Sequence, residues 1–122
     1  MAKWQLDAVL DAALTYISTN STQIFVCSTQ PTTYAEASST YALTGAAVTP
    51  GFQANAAGDV SGRKLAVDEE ADITITASAN AEHIALCSAD TLLYVTSCTS
   101  QGLTSGGTVT VPTWDIEIAD AT

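Results

Sequence analysis

Basic side chains are nearly missing from this sequence. Of its 122 residues only Lys3, Arg63 and Lys64 are cationic, against 13 acids, for a net charge of −10. Three cations cannot build a face that neutralises phosphates, which excludes nucleic acid as a partner. The same shortage excludes binding to an anionic membrane surface. Histidine is reduced to His83, so no histidine-based metal cluster can form, and any Ser-His or Cys-His pair would have to use it. It lies between Glu82 and Ile84 in a strand pattern and reads as a structural or interfacial histidine. The cysteines, Cys27, Cys87 and Cys98, are odd in number and lack CxxC or metal spacing. They read as small hydrophobes of a reducing cytoplasm.

Other absences narrow the field further. No apolar run approaches the roughly 20 residues of a membrane span, and no basic region precedes an apolar one at the start. The expectation is a soluble chain without a secretion signal. P-loop, GxGxxG and HExxH motifs are missing. Asp68, Glu69, Glu70 and Asp72 form the densest acidic cluster, but they lack the alternating spacing of a calcium loop and read as a solvated turn. Two acids could meet in space for glycoside hydrolysis, yet the aromatic platforms of a sugar cleft are scarce at 7%. No catalytic, cofactor-binding or metal-ligating residue is assigned, no cofactor is expected, and the chain reads as a non-enzyme.

Charged residues make up 13%, about half the usual share, and Ala, Thr and Ser take their place. Such a neutral, hydroxyl-rich surface suits a chain covered by its own copies or by a larger assembly, and it also occurs in secreted β proteins. The length predicts one domain, 1–122, with one modest core.

Leu6, Val9, Leu10, Ala13, Leu14 and Ile17 recur at helical spacing, predicting an amphipathic helix over about 5–19. Asp7 favours its start and Thr19-Asn20-Ser21 its stop. Strand chemistry follows over 22–118. Gln23–Ser28 ends at Gln30-Pro31, and Tyr34–Ser39 reads as one helical turn. Gly58-Asp59-Val60-Ser61-Gly62 is a turn leading into a strand over Arg63–Val67. Ile73, Ile75 and Ala77 alternate with hydroxyl residues. Residues 81–88 and 91–98 predict a hairpin with Cys87 facing Leu92 and Cys98 opposite Ala81, too far apart for a disulfide. Thr108–Val111 and the stretch from Trp114 to Ile118 complete the series. The prediction is a mainly β chain, an antiparallel sandwich or jelly-roll-like domain with one N-terminal helix over an open face or edge.

Arg63 and Lys64 place two of the three cations side by side after the glycine turn. They read either as partners of Asp59 or of the 68–72 acids, or as a cationic contact to another chain. Trp4, just before the helix, could staple it or reach a neighbouring subunit.

The stretch Leu6–Ile17, Phe25-Val26-Cys27-Ser28, Pro31–Ala37, Gly58–Lys64 (GDVSGRK) and Trp114-Asp115-Ile116-Glu117-Ile118 together resemble a family of small virion proteins of tailed bacteriophages. The resemblance spans nearly the whole chain, with GDVSGRK and DIEI its most specific parts. It implies an auxiliary head protein of the cement or decoration type, located on the capsid exterior and assembled in the host cytoplasm. The implied partners are the major capsid protein and further copies of the chain in a homotrimer. Trp4, Asp59, Arg63 and Lys64 are the expected capsid or subunit contacts. A tail, neck or fibre-associated virion protein and a carbohydrate-binding adhesion module remain the alternatives.

Overall fold

The structure is a computed structural model that describes residues 4–45 and 48–119; Lys3 and both ends of the predicted 1–122 domain lie outside these. It is mainly β with antiparallel sheets and one N-terminal helix, as predicted. The helix, α1, spans Asp7–Asn20. No helix among the described residues is long and apolar enough to cross a membrane.

Among the described residues eight strands follow: β1 (Gln23–Cys27), β2 (Ala56–Ala57), β3 (Arg63–Val67), β4 (Glu70–Thr74), β5 (Ala79–Cys87), β6 (Leu92–Leu103), β7 (Thr108–Val111) and β8 (Trp114–Ile118). They form three antiparallel groups, ordered β1-β5-β6, β2-β3-β8 and β4-β7. The segment around Ala42–Thr44 joins the first group to the third. Leu43 donates its N–H to the Val26 carbonyl, and Thr76 donates its own to the Leu43 carbonyl. One rolled sheet therefore runs β6-β5-β1, through residues 42–44, to β4 and β7. Its two ends, β6 and β7, each have one strand partner among the described residues.

The main core lies between this sheet and the β2-β3-β8 group. Ile24, Val26, Ile84, Leu86 and Val111 meet Leu65, Val67 and Ile116 there. A second core covers the opposite face of β1 and β5, where Phe25, Cys27, Ala85 and Cys87 pack under Ala37, Tyr34 and Tyr41. Both faces of these strands are thus buried, so Ile24–Cys27 and Ile84–Cys87 are continuous apolar runs without alternation.

The cover of that second core is the turn predicted over Tyr34–Ser39, observed as a helical start followed by a π-type turn at Glu36–Thr40. Glu36 accepts the Thr32 N–H and hydroxyl at 2.9 and 2.8 Å, while its own N–H donates to Thr33 Oγ1 at 3.2 Å. These bonds satisfy the Thr32 and Glu36 N–H groups at the start of the turn, and the bonds from Thr32 hold the Glu36 carboxyl below its ordinary pKa.

The predicted β5–β6 hairpin forms, and Cys87 faces Leu92 as expected. The pairing of Cys98 with Ala81 is corrected. A register shift between Cys87 and Leu86 and a second between His83 and Ala81 place Gln101 opposite Ala81 and leave Cys98 in the irregular stretch after Ser97.

Candidate functional site

Two surface features stand out, and the four residues expected as contacts divide between them. The first is the corner built by the glycine turn and the start of β3. Gly62 adopts φ 72°, and a Cβ there would lie 1.8 Å from the Ile118 carbonyl oxygen. Only glycine fits so close to β8 in that conformation. The turn closes with the Gly58 N–H donating to the Gly62 carbonyl at 2.9 Å, and the Asp59 N–H donates to Glu117 Oε1 at 2.6 Å. Val60 is left at the tip, 97% exposed.

Beneath it, both cations are engaged inside the chain. Arg63 Nε donates to Asp11 Oδ1 at 2.8 Å and Nη2 donates to Oδ2 at 3.3 Å, a two-pronged bridge from β3 to α1. Lys64 Nζ lies 2.7 Å from Asp59 and 3.7 Å from Asp115. Hydrogen bonding to these carboxylates raises both cations above their ordinary pKa values, against a smaller opposing effect of burial. The structure thus brings Asp59, Arg63 and Lys64 together. With Asp11, Asp59, Asp115 and Glu117 around two cations, the corner is acidic on balance. Lys64 takes Asp59, as the sequence suggested. The 68–72 acids are not its partners: Asp68 accepts Gln53 Nε2 at 2.8 Å and Glu70 accepts the Gly51 N–H at 3.0 Å, holding the 50–53 segment against β3.

Asp11 is the residue that sequence reasoning missed. It was masked by the apolar stripe around it and lies 52 positions from Arg63. Asn55 adds to the same junction, donating to Thr15 Oγ1 at 3.1 Å and to the Asp11 carbonyl at 3.4 Å.

The second feature is the outer side of α1. The predicted stripe divides in two. Leu14 is fully buried, and Leu10 and Ile17 are half-buried. Leu6, Val9 and Tyr16 are 53%, 62% and 62% exposed, and Ala13 between them is exposed too. Val9, Ala13 and Tyr16 fall on one neighbouring arc of the helix, with Leu6 at its N-cap. Trp4, ahead of the helix, is 81% exposed, and among the described residues no hydrogen bond or ion pair joins it to the Arg63 corner.

The chemistry of the other reactive groups is muted. Cys27, Cys87 and Cys98 are free thiols. Burial pushes the Cys27 thiol up to about 12, with a further push from Cys87, and burial pushes Cys87 up to about 11. Cys98 is half-buried and raised by burial and by Glu82. His83 is half-buried on β5 opposite Cys27 and Ser97, with Nδ1 buried and without a hydrogen-bond partner. Among the described residues no group of three His, Cys, Asp or Glu side chains converges as metal ligands would.

A scan of protein-family models, a search of curated proteins and a search of solved structures each found no match to this chain.

Proposed function

We propose that this chain is a non-enzymatic structural protein of a tailed-phage virion, a cement protein that binds the outer capsid surface and stabilises the expanded shell. The observation that carries the reading is the uncovered apolar arc of α1, Leu6, Val9, Ala13 and Tyr16, with Trp4 beside it. A charge-poor chain that leaves several large apolar side chains on one helix has the surface of a subunit rather than of a free monomer. The sequence resemblance supplies the setting, a virion, and the partners: the major capsid protein and two further copies of the chain.

In this reading Trp4 and the 58–64 corner are the contact points. Arg63 and Lys64 hold the turn and the helix in place, while Asp59 and Val60 meet the neighbouring surface. Closed symmetry lets each small patch be used several times, so that weak single contacts sum to firm attachment.

The test is to add the purified chain to expanded shells that lack it. Saturable binding in fixed ratio to capsomers, with a higher rupture temperature, is the expected result. Binding only to tails or to isolated glycans would overturn the capsid assignment in favour of the alternatives.

A further inference from the structure

The rolled sheet leaves a seam where β6 and β7 fail to pair, and an apolar cleft of about 210 Å³ lies along it. Its floor is core: Val26, Ala81 and Ile84. Its wall on the β7 side includes Thr110 as well as Val109 and Val111, residues of both strand faces, so the cleft opens along the strand edge. A second hollow of about 200 Å³ continues it toward β8, and Ile84, Cys98, Val111 and Pro112 line both. Trp114 lines this second hollow, stacked on Tyr94, and its Nε1 is buried with no hydrogen-bond partner. A buried indole N–H without an acceptor is costly and calls for a carbonyl oxygen.

The β6 edge has the character of a strand built to be covered. It is 12 residues long and contains neither proline nor a charged side chain, the usual guards against pairing. In fact residues 91–114, which include β6 and β7, carry no charge at all. On a chain with net charge −10, such a surface is where another copy meets little carboxylate repulsion, that of Asp115 lining the second hollow and of Glu82 near Cys98.

The chain also displays a segment that matches this cleft. Trp4-Gln5-Leu6 is uncharged, with Leu6 in extended conformation (φ −76°, ψ 139°). Trp4 and Leu6, the alternate side chains, are 81% and 53% exposed. We infer that the Trp4–Leu6 segment of one copy docks into the β6–β7 seam of the next. An apolar side chain settles on Ile84 and Val111, and a backbone carbonyl of the segment accepts the Trp114 indole N–H. This is strand addition in trans. Donor and acceptor are different surfaces, so the contact is head-to-tail, and with a rotation of one third of a turn between copies it closes into the ring of a trimer. The inference rests on the self-association in the proposed function and is independent of the capsid.

Cys98 lies in the cleft and reports on occupancy. In the Gln5→Cys variant, which keeps Trp4 and Leu6, oxidation by oxidised glutathione is expected to join the new thiol to Cys98 of another copy, giving covalent multimers whose linking peptide contains both sites. Adding Cys98→Ser should abolish that link. Separately, Trp4→Ser should weaken self-association in sedimentation about tenfold or more, with an unchanged melting temperature for the monomer. Wild-type protein that associates while no 5–98 link forms would overturn this docking and leave self-association standing. Wild-type protein that stays monomeric up to high micromolar concentration would overturn both.

Discussion

Replacing Leu14 by alanine should undock α1, whereas the same change at Val9 should leave the fold almost untouched. Leu14 has no exposed surface and packs in the main core with Leu65 and Val67. Removing buried methyl groups of this kind loses about 2–5 kcal/mol, depending on how far the site collapses. Val9 and Leu6 are more than half exposed, and surface substitutions of this sort stay within about 0.5 kcal/mol. For a chain of this length each kcal/mol shifts the melting temperature by roughly 4 °C. Leu14→Ala should therefore lower the melting temperature by about 8–20 °C and Val9→Ala by about 2 °C or less. The assay is thermal unfolding followed by circular dichroism at a concentration low enough to keep the chain monomeric. Equal losses at the two positions would refute the division of the helix into a buried and an open arc. A loss at Val9 that appears only at high concentration would locate that residue in a subunit contact.

Three further outcomes follow from the geometry. Gly62→Ala should destabilise more than Gly106→Ala: both glycines have positive φ, each strained by about 1–2 kcal/mol on substitution, but a Cβ at 62 also strikes the Ile118 carbonyl while one at 106 meets nothing within 4 Å; equal losses in denaturant titration would contradict this. Iodoacetamide at mildly alkaline pH should label Cys98 first and reach Cys27 and Cys87 only on unfolding, because burial shields those two thiols and pushes their pKa values up to about 12 and about 11, so that they stay protonated there; uniform native labelling would contradict it. Lys64 gains its charge-stabilising partners on folding, so its folded pKa is raised; its contribution is complete below the unfolded value of about 10.4 and is lost as pH rises through the folded value. The melting-temperature gap between wild type and Lys64→Met should accordingly shrink above that pH, and a gap that widens would refute the pairing with Asp59.

Strands bounded by strong local punctuation were legible in the sequence. β3, β7 and β8 begin and end where alternation and the Gly or Pro turns place them. The helix was legible too, though its burial was not. Periodicity identifies an apolar stripe but not the width of the surface available to receive it, and here β3 covers Leu14 while Leu6 and Val9 stay open. Register in the β5–β6 hairpin failed from Leu86 onward, and again between His83 and Ala81, for a related reason. A bulge adds a residue without a compositional mark, and every pairing beyond it moves, Cys98 included. In the 58–64 corner, Asp59 with Lys64 was legible because the two are five residues apart. Asp11 with Arg63 was not, since only the docking of α1 on β3 brings them together. The non-alternating burial of β1 and β5 likewise depends on the second core, whose cover could have been anticipated from the Thr33-x-x-Glu36 pattern that starts its helical turn.

The central claim, that this chain is a component of the capsid exterior, is tested most directly by its copy number in purified virions. Quantitative mass spectrometry against the major capsid protein should find it in a fixed ratio of the order of one per capsid subunit or per lattice threefold. Its absence from the particle, or a mere handful of copies retained with isolated tails, would contradict the account.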